Sequence, residues 1–149
     1  MITRVGSDDL DALIPLMREY CDFYEVSPSE DALRGLAKAL IEDPDGAGVQ
    51  LLAREDGGAA GFATIFWSYS TLSATAIGIM NDLFVAPAAR GRGIGAALIR
   101  ACEAECAARG VPILEWQTAP SNARAQSVYD RFGAERSEWV TYTLGVTRR

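Results

Sequence analysis

The chain has 149 residues, of which 49% are hydrophobic and 23% are charged, as in an ordinary globular protein. Its 20 acidic and 14 basic residues give a formal charge of −6, which argues against a nucleic-acid-binding surface. Histidine is absent, which excludes triads and metal sites that depend on imidazole, so we expect no metal site.

The length predicts a single domain, residues 1–149, with enough chain to bury its own core. No apolar run approaches the roughly 20 residues needed to cross a bilayer. The N-terminus carries Asp8, Asp9 and Asp11 where a secretory leader would be basic. The cysteines are odd in number and lack CxxC spacing, which is not a disulfide framework. We therefore expect a soluble, cytoplasmic protein with no membrane partner.

The first predicted elements are a strand and a helix. Met1–Val5 is strand-like, and apolar residues recur at helical spacing from Leu10 to Cys21. Ser7 or Asp8 can cap this helix at its N-terminus. Pro15 either kinks the helix or marks its true start, because a proline lacks the backbone donor that a helix interior needs.

A second helix and three strands follow. One apolar face predicts the helix, and β-type runs separated by turns predict the strands. Short connections favour an antiparallel meander. The predicted bounds are Ser29–Ile41 for the helix and Val49–Ala53, Gly61–Tyr69 and Ile77–Val85 for the strands.

The C-terminal part alternates helices with strands. The predicted elements are a helix at Gly91–Arg109, a strand at Ile113–Gln117, a helix at Asn122–Phe132 and a strand at Trp139–Leu144. The strand, helix and strand in the middle form a crossover, which makes one strand pair parallel. The whole pattern predicts an α+β fold, layered α/β/α, whose mixed sheet is mostly antiparallel with flanking helices.

A glycine-rich turn from Arg90 to Gly95 joins a strand to a helix, which is anion-binding geometry because backbone N–H groups can approach phosphate closely. A tight turn without a ligand is the alternative. A P-loop is excluded, since no Gly-Lys-Ser/Thr follows. A dinucleotide turn is disfavoured because five residues separate Val85 from Gly91.

Two motifs carry a family resemblance. Arg90-x-x-Gly93-x-Gly95 and Asn122-x-x-Ala125-x-x-x-Tyr129-x-x-x-Gly133 resemble, in order and placement, the two cofactor motifs of the GNAT superfamily of acyl-CoA N-acyltransferases. The resemblance implies that acetyl-CoA is the cosubstrate and that it enters between splayed parallel strands. The implied cofactor-binding residues are Leu83, Phe84, Val85, Arg90, Gly91, Arg92, Gly93, Ile94, Gly95, Asn122 and Tyr129.

The resemblance also implies catalytic roles. An amine attacks the thioester, a backbone N–H near Val85 stabilises the oxyanion, and Tyr129 protonates the departing thiolate. Asp82 is the predicted base, although strand alternation puts it on the face opposite Val85 unless a bulge intervenes. Two simpler roles stay open: Asn122 as a helix N-cap, and Tyr129 as an amphipathic packing residue.

Within the superfamily, the segment Met80–Val85 resembles spermidine/spermine, histone and amino-acid acetyltransferases, although Asn81 stands where the polyamine enzymes usually have glutamate. The predicted acceptor is a small primary amine. The alternatives are a protein acceptor, at a lysine or an N-terminus, and acyl-CoA binding without turnover. The resemblance is also compatible with a homodimer. The predicted substrate-binding residues are Tyr24, Trp67, Asn81 and Asp82.

Overall fold

The computed structural model describes residues 1–56 and 58–147. These fall into two compact units, of which one is Met1–Gln117 and the other begins at Thr118. We describe each unit by itself. The assignment of residues 1–149 to one domain stays a prediction.

The first unit contains a five-stranded sheet with strand order β1-β2-β3-β4-β5. All neighbouring strands are antiparallel except β4 and β5, which are parallel. This confirms the predicted α+β class and its mixed, mostly antiparallel sheet. The strands are β1 Ile2–Arg4, β2 Gly48–Glu55, β3 Gly58–Ser70, β4 Thr75–Val85 and β5 Leu114–Glu115, and the helices are α1 Leu10–Phe23, α2 Glu30–Glu42 and α3 Ile94–Ala108.

Helices cover both faces of this sheet. The apolar stripes of α1 and α2 pack with Leu52, Phe62 and Phe84 into one buried cluster. On the opposite face, a Cβ atom placed at Gly78 would lie 2.7 Å from the Sγ atom of Cys106 on α3, so glycine is needed for this close approach. The described helices include none that is long and apolar enough to span a bilayer.

Two predicted helix starts meet different outcomes. Ser29 caps α2, its hydroxyl accepting from the Ala32 N–H at 3.1 Å. Pro15 lies inside α1, so it does not mark the start of the helix. Pro15 is the sixth residue of α1, so the helix forgoes the hydrogen bond that a backbone N–H there would make to the Asp11 carbonyl oxygen.

The parallel pair β4 and β5 separates soon after it forms. Its paired residues are Gly78 with Leu114 and Ile79 with Glu115, whereas β4 continues to Val85. The predicted strand Ile113–Gln117 is therefore shorter in the structure. From Met80 onward, β4 has no partner on its β5 side among the described residues, which leaves the open edge expected for splayed strands.

The second unit contains helix α4, Ala123–Arg131. The Asn122 side-chain oxygen accepts from the Ala125 N–H at 3.2 Å and caps this helix. The predicted strand at Trp139–Leu144 is wrong, because residues 134–147 adopt no regular structure. A strand needs a hydrogen-bonded neighbour, and no strand pairing of the described residues includes this segment.

The turn before α1 supports a test of stability. Asp9 accepts from the Gly6 N–H at 2.8 Å and pairs with Arg54 at 2.6 Å, and these contacts lower its pKa. We expect Asp9→Asn to lower the free energy of unfolding at pH 7 by about 1 kcal/mol. The pKa of Asp9 is lower in the folded state than in the unfolded state. The stabilisation by Asp9 is therefore fully present above the unfolded pKa of about 3.9, and it is lost as the pH falls through the folded pKa.

Urea unfolding of both proteins at pH 7 and near pH 3 would measure the difference. Asp8→Asn, at the neighbouring exposed carboxylate, is the matched control and should change stability by less than about 0.5 kcal/mol. A loss for Asp9→Asn that is equal at both pH values would contradict the electrostatic account.

Candidate active site

The loop between β4 and α3 is an open anion-binding turn. Gly91 and Gly93 have φ angles of +82° and +80°, which favour glycine, and a Cβ atom at either position would meet nothing within 4 Å. The helix therefore begins at Ile94 and not at the predicted Gly91. Gly93 occupies the N-cap without a side-chain cap, so the first N–H groups of α3 keep their capacity to bind an anion.

The two arginines of this loop already have partners. Arg90 donates from Nε to the Val85 carbonyl oxygen at 3.0 Å, and its guanidinium lies 5.8 Å from the Phe84 ring centroid. Arg92 pairs with Glu55 at the end of β2, with 3.2 Å between Nη1 and Oε2. An incoming phosphate would thus meet arginines held against the protein.

The end of β4 presents backbone more than side chains to this loop. The Phe84 ring is buried against Tyr20 and Phe62, at centroid distances of 6.1 and 6.2 Å. Ile94 is buried as well, whereas Leu83 and Val85 are half-buried. Ile94 can therefore contact a cofactor chiefly through backbone atoms.

A β-bulge interrupts the pairing of β3 with β4. Thr64 lies opposite Asp82 and Ile65 lies opposite Met80, which leaves Asn81 as the extra residue. The bulge precedes Asp82, so alternation continues undisturbed from Asp82 to Val85. Asp82 consequently lies on the face of Phe84 and α1, and the bulge does not bring it to the face of Val85.

Asp82 is the centre of a buried polar cluster. Its carboxylate accepts from Asn81 Nδ2 at 3.0 Å, and the hydroxyl groups of Thr64, directly opposite on β3, and of Tyr20 on α1 are positioned as further donors. The residue is only 8% exposed. Burial raises the pKa of Asp82 above its ordinary value, and the three hydrogen bonds oppose part of that shift.

Tyr20 and Tyr24 extend this cluster toward the surface. Burial and the charge of Asp82 raise the pKa of Tyr20, which keeps its hydroxyl protonated and able to donate. The Tyr20 hydroxyl also lies 3.4 Å from the Asn81 carbonyl oxygen. Tyr24 packs edge-on against Tyr20 with 5.1 Å between ring centroids and is half exposed. The structure thus brings together three of the predicted substrate residues, Tyr24, Asn81 and Asp82.

A cavity of about 440 Å³ lies between the C-terminal end of α1 and the loop after β4. Two acidic and two aromatic residues line it together with a proline and an arginine of the loop. The lining residues are Glu19, Asp22, Phe23, Phe84, Pro87 and Arg90. Arg90, the first residue of the glycine-rich turn, belongs to this lining, and the opening is large enough for part of a small ligand.

Comparison with known proteins assigns this arrangement to a family. Residues 13–134 match the Acetyltransferase (GNAT) family. The chain belongs to the GNAT family of acetyltransferases. This confirms the predicted enzyme class, an acyl-CoA-dependent acetyltransferase with acetyl-CoA as cosubstrate.

Two similar proteins and one solved structure illustrate the GNAT relationship. An uncharacterized N-acetyltransferase of Bacillus subtilis is 33% identical over 146 residues, covering 97% of each chain. A D-amino-acid N-acetyltransferase of Saccharomyces cerevisiae is 29% identical over 143 residues, covering 95% of this chain and 88% of its own. The crystal structure of a probable acetyltransferase superposes with a TM-score of 0.84 at 26% identity, covering 100% and 99% of the two chains. None of the three is described as a polyamine or histone acetyltransferase, so that predicted subgroup gains no specific support.

One predicted substrate residue of this GNAT protein lies elsewhere. Trp67 donates from Nε1 to the Pro44 carbonyl oxygen at 2.8 Å, and the Arg109 guanidinium lies 4.3 Å from its ring centroid. Its ring is close to the Cβ position of Gly78, on the face that α3 covers. The structure therefore does not bring Trp67 together with Tyr24 or Asp82.

The second GNAT motif forms helix α4 of the other unit. Asn122 acts as the N-cap, as the simpler sequence interpretation allowed. Asn122 and Tyr129 are half-buried, as are Ala125 and Gln126 on the same helical face. Gln126 donates to the carbonyl oxygens of Ala119 and Pro120 at 3.1 and 2.9 Å, which orders the segment that precedes α4.

Sequence reasoning missed Gln50 and Thr64. The Gln50 Nε2 atom donates to Thr64 Oγ1 at 3.1 Å, and both side chains are buried. A signal was present, because each polar residue has apolar residues on both sides of it in its strand, Val49 and Leu51 for Gln50 and Ala63 and Ile65 for Thr64. A polar side chain at an inward position predicts a hydrogen-bonded cluster.

Proposed function

We propose that this GNAT protein transfers the acetyl group of acetyl-CoA to a small primary amine by direct attack within a ternary complex. The observation that carries the proposal is the buried Asp82 cluster on β4, beside the unpaired stretch of that strand and the glycine turn. The similarity to a D-amino-acid N-acetyltransferase supports an acceptor that is a small molecule with an amino group.

The proposed chemistry begins with proton removal. An aliphatic ammonium has a pKa near 10 and must lose a proton before it can attack. Asp82 accepts this proton, directly or through a bound water. Tyr20 and Tyr24 offer aromatic faces to the cationic substrate, and the carboxylates of Glu19 and Asp22 add negative charge at the neighbouring cavity.

The acyl group is handled by backbone atoms and by Tyr129 in this proposal. The open β4 edge near Val85 offers N–H groups for the developing oxyanion. The CoA thiolate leaves with a thiol pKa of about 8.5, and a tyrosine with a pKa near 10 can protonate it. The pyrophosphate binds the first turn of α3, where the N–H groups of Ile94 and Gly95 join the helix dipole.

An acceptor screen tests the function. Release of free CoA thiol would be followed with acetyl-CoA and a panel of amines, amino acids, aminoglycosides and peptides. We expect turnover with a small primary amine. Turnover only with peptides or folded proteins would replace the small-amine acceptor with a protein acceptor. CoA binding without any turnover would favour an acyl-CoA-binding module. A homodimer and a cytoplasmic location stay predictions from the sequence.

The role of Asp82 has its own test. We expect Asp82→Asn to lower kcat/KM by about 100-fold at pH 7, because the amine is then mostly protonated and the amide cannot accept its proton. The loss should shrink as the pH rises toward the amine pKa. Asp31→Asn, at an exposed carboxylate of α2, is the control and should match the wild type. A loss of equal size at every pH would assign Asp82 a structural role.

A further inference from the structure

A line of buried polar side chains crosses three strands on the face that α1 covers. Gln50 on β2 lies opposite Thr64 on β3, and Thr64 lies opposite Asp82 on β4. The three residues are 3%, 0% and 8% exposed. Buried polar groups destabilise a fold unless they are hydrogen-bonded, so a continuous polar line through an apolar core indicates a purpose beyond packing.

The hydrogen bonds along this line have a direction. Gln50 Nε2 donates to the Thr64 oxygen at 3.1 Å. With a lone pair of Thr64 occupied in this way, its own O–H proton is free to point at Asp82, the next group in the line. The Gln50 side-chain oxygen has no partner within residues 1–56 and 58–147, so the amide contributes here as a donor.

We propose that Thr64, oriented by Gln50, is a positioning residue for amine acetylation: its hydroxyl donates to Asp82, favours the ionised carboxylate and fixes the direction of its oxygens. The inference rests on the proposed role of Asp82 as the proton acceptor. Thr64 does not touch the acceptor or the acyl group. It acts through Asp82 alone.

The other side chains that donate to Asp82, Tyr20 and Asn81, are more exposed than Thr64. Tyr20 and Cys21 are the titratable neighbours from α1, and both are negatively charged or neutral, never positive. The neighbour from β4 is Asn81, whose side chain is exposed. Thr64 is thus the fully buried donor among the hydrogen-bonding partners of this carboxylate, where solvent cannot replace it.

The test compares Thr64→Val with Thr64→Ser. Valine keeps the shape and removes the hydroxyl, whereas serine keeps the hydroxyl. In Thr64→Val we expect the acidic limb of the pH profile of kcat/KM to move up by about one pH unit, because a hydrogen bond to the charged form is lost. At pH values below the wild-type midpoint, kcat/KM of Thr64→Val should then be roughly tenfold lower than that of the wild type. Thr64→Ser should follow the wild-type profile.

A second readout needs no acceptor. The side-chain carboxyl carbon of Asp82 can be titrated by ¹³C NMR, its resonance assigned by its absence from Asp82→Asn. We expect its midpoint to rise in Thr64→Val, to rise less in Gln50→Met, and to stay in place in Thr64→Ser. Thermal unfolding would establish that each variant is folded.

Equal Asp82 midpoints in the wild type and Thr64→Val would overturn the coupling. A shift in Thr64→Ser as large as that in Thr64→Val would also overturn it, because the hydroxyl would then be irrelevant. A shifted midpoint with an unchanged kcat/KM profile would overturn the role in catalysis. Since the titration is made on the free protein, failure of the coupling is distinguishable from failure of the proposed acetylation reaction.

Discussion

Gly95→Glu should weaken CoA binding by about 100-fold or more, equivalent to about 2.7 kcal/mol. Gly95 is the second residue of α3, within the first turn that we assign to the pyrophosphate. A carboxylate there would repel the phosphates and compete for the same N–H groups. Isothermal titration with CoA would measure the affinity, and the rise in melting temperature on adding CoA would measure it independently.

Gly95 is a better site for this test than its neighbours. Gly91 and Gly93 have left-handed φ angles, so a substitution there would strain the backbone. A Cβ atom at Gly95 would lie 3.8 Å from the Val85 side chain, an ordinary contact. An acidic residue at a helix N-terminus is favourable to the helix, so the free protein should melt no lower than the wild type.

Two control variants separate charge from size at this position. Gly95→Ala should bind CoA within a few-fold of the wild type, and Gly95→Gln should lose less affinity than Gly95→Glu. Unchanged CoA affinity in Gly95→Glu would remove the first turn of α3 from the cofactor site. A large and equal loss in all three variants would indicate that the backbone itself must approach the ligand.

Tyr129→Phe should lower kcat by about 100-fold while the Kd for CoA changes less than about threefold. The reason is that a proton donor to the leaving thiolate acts in the transition state and contributes little to ground-state binding. Steady-state thiol release gives kcat, and titration with CoA gives Kd. Tyr142→Phe, at an exposed tyrosine, is the control and should match the wild type.

Equal turnover in Tyr129→Phe and the wild type would exclude this hydroxyl from the mechanism. A parallel loss of CoA affinity and kcat would instead assign Tyr129 to cofactor binding. The two results lead to different assignments for α4, which is why both constants need to be measured.

Local patterns predicted most of the fold. Helical spacing of apolar residues located α1, α2 and α3, because each helix buries one stripe against the sheet. One motif in the glycine turn and one in α4 predicted the family, and through it the separation of the parallel strands β4 and β5. These features depend on residues that are close in the sequence, so a single chain carries the information.

Other features depend on pairing between distant segments, which periodicity does not report. The alternation of Trp139–Leu144 is compatible with a strand, but a strand also needs a neighbour. The bulge falls at Asn81 because this residue has no partner on β3, and only the register of the two strands reveals this. The polar character of Gln50 and Thr64 is visible in the sequence, but the hydrogen bond between them joins two strands and depends on the same register.

The extra residue at Asn81 changes the face of the sheet on which the even-numbered residues of β4 lie. Gly78 lies on the α3 face, yet the even-numbered Phe84 packs into the α1 cluster, because one residue between them has no counterpart on β3. Deleting Asn81 would make Met80 and Asp82 consecutive residues opposite Ile65 and Thr64, so pairing would become regular while Asp82 and Phe84 stayed on the α1 face. The bulge would disappear together with the amide that donates to Asp82. The loss of one codon at this place would therefore leave the two faces of the strand in order, whereas a deletion elsewhere in β4 would exchange them.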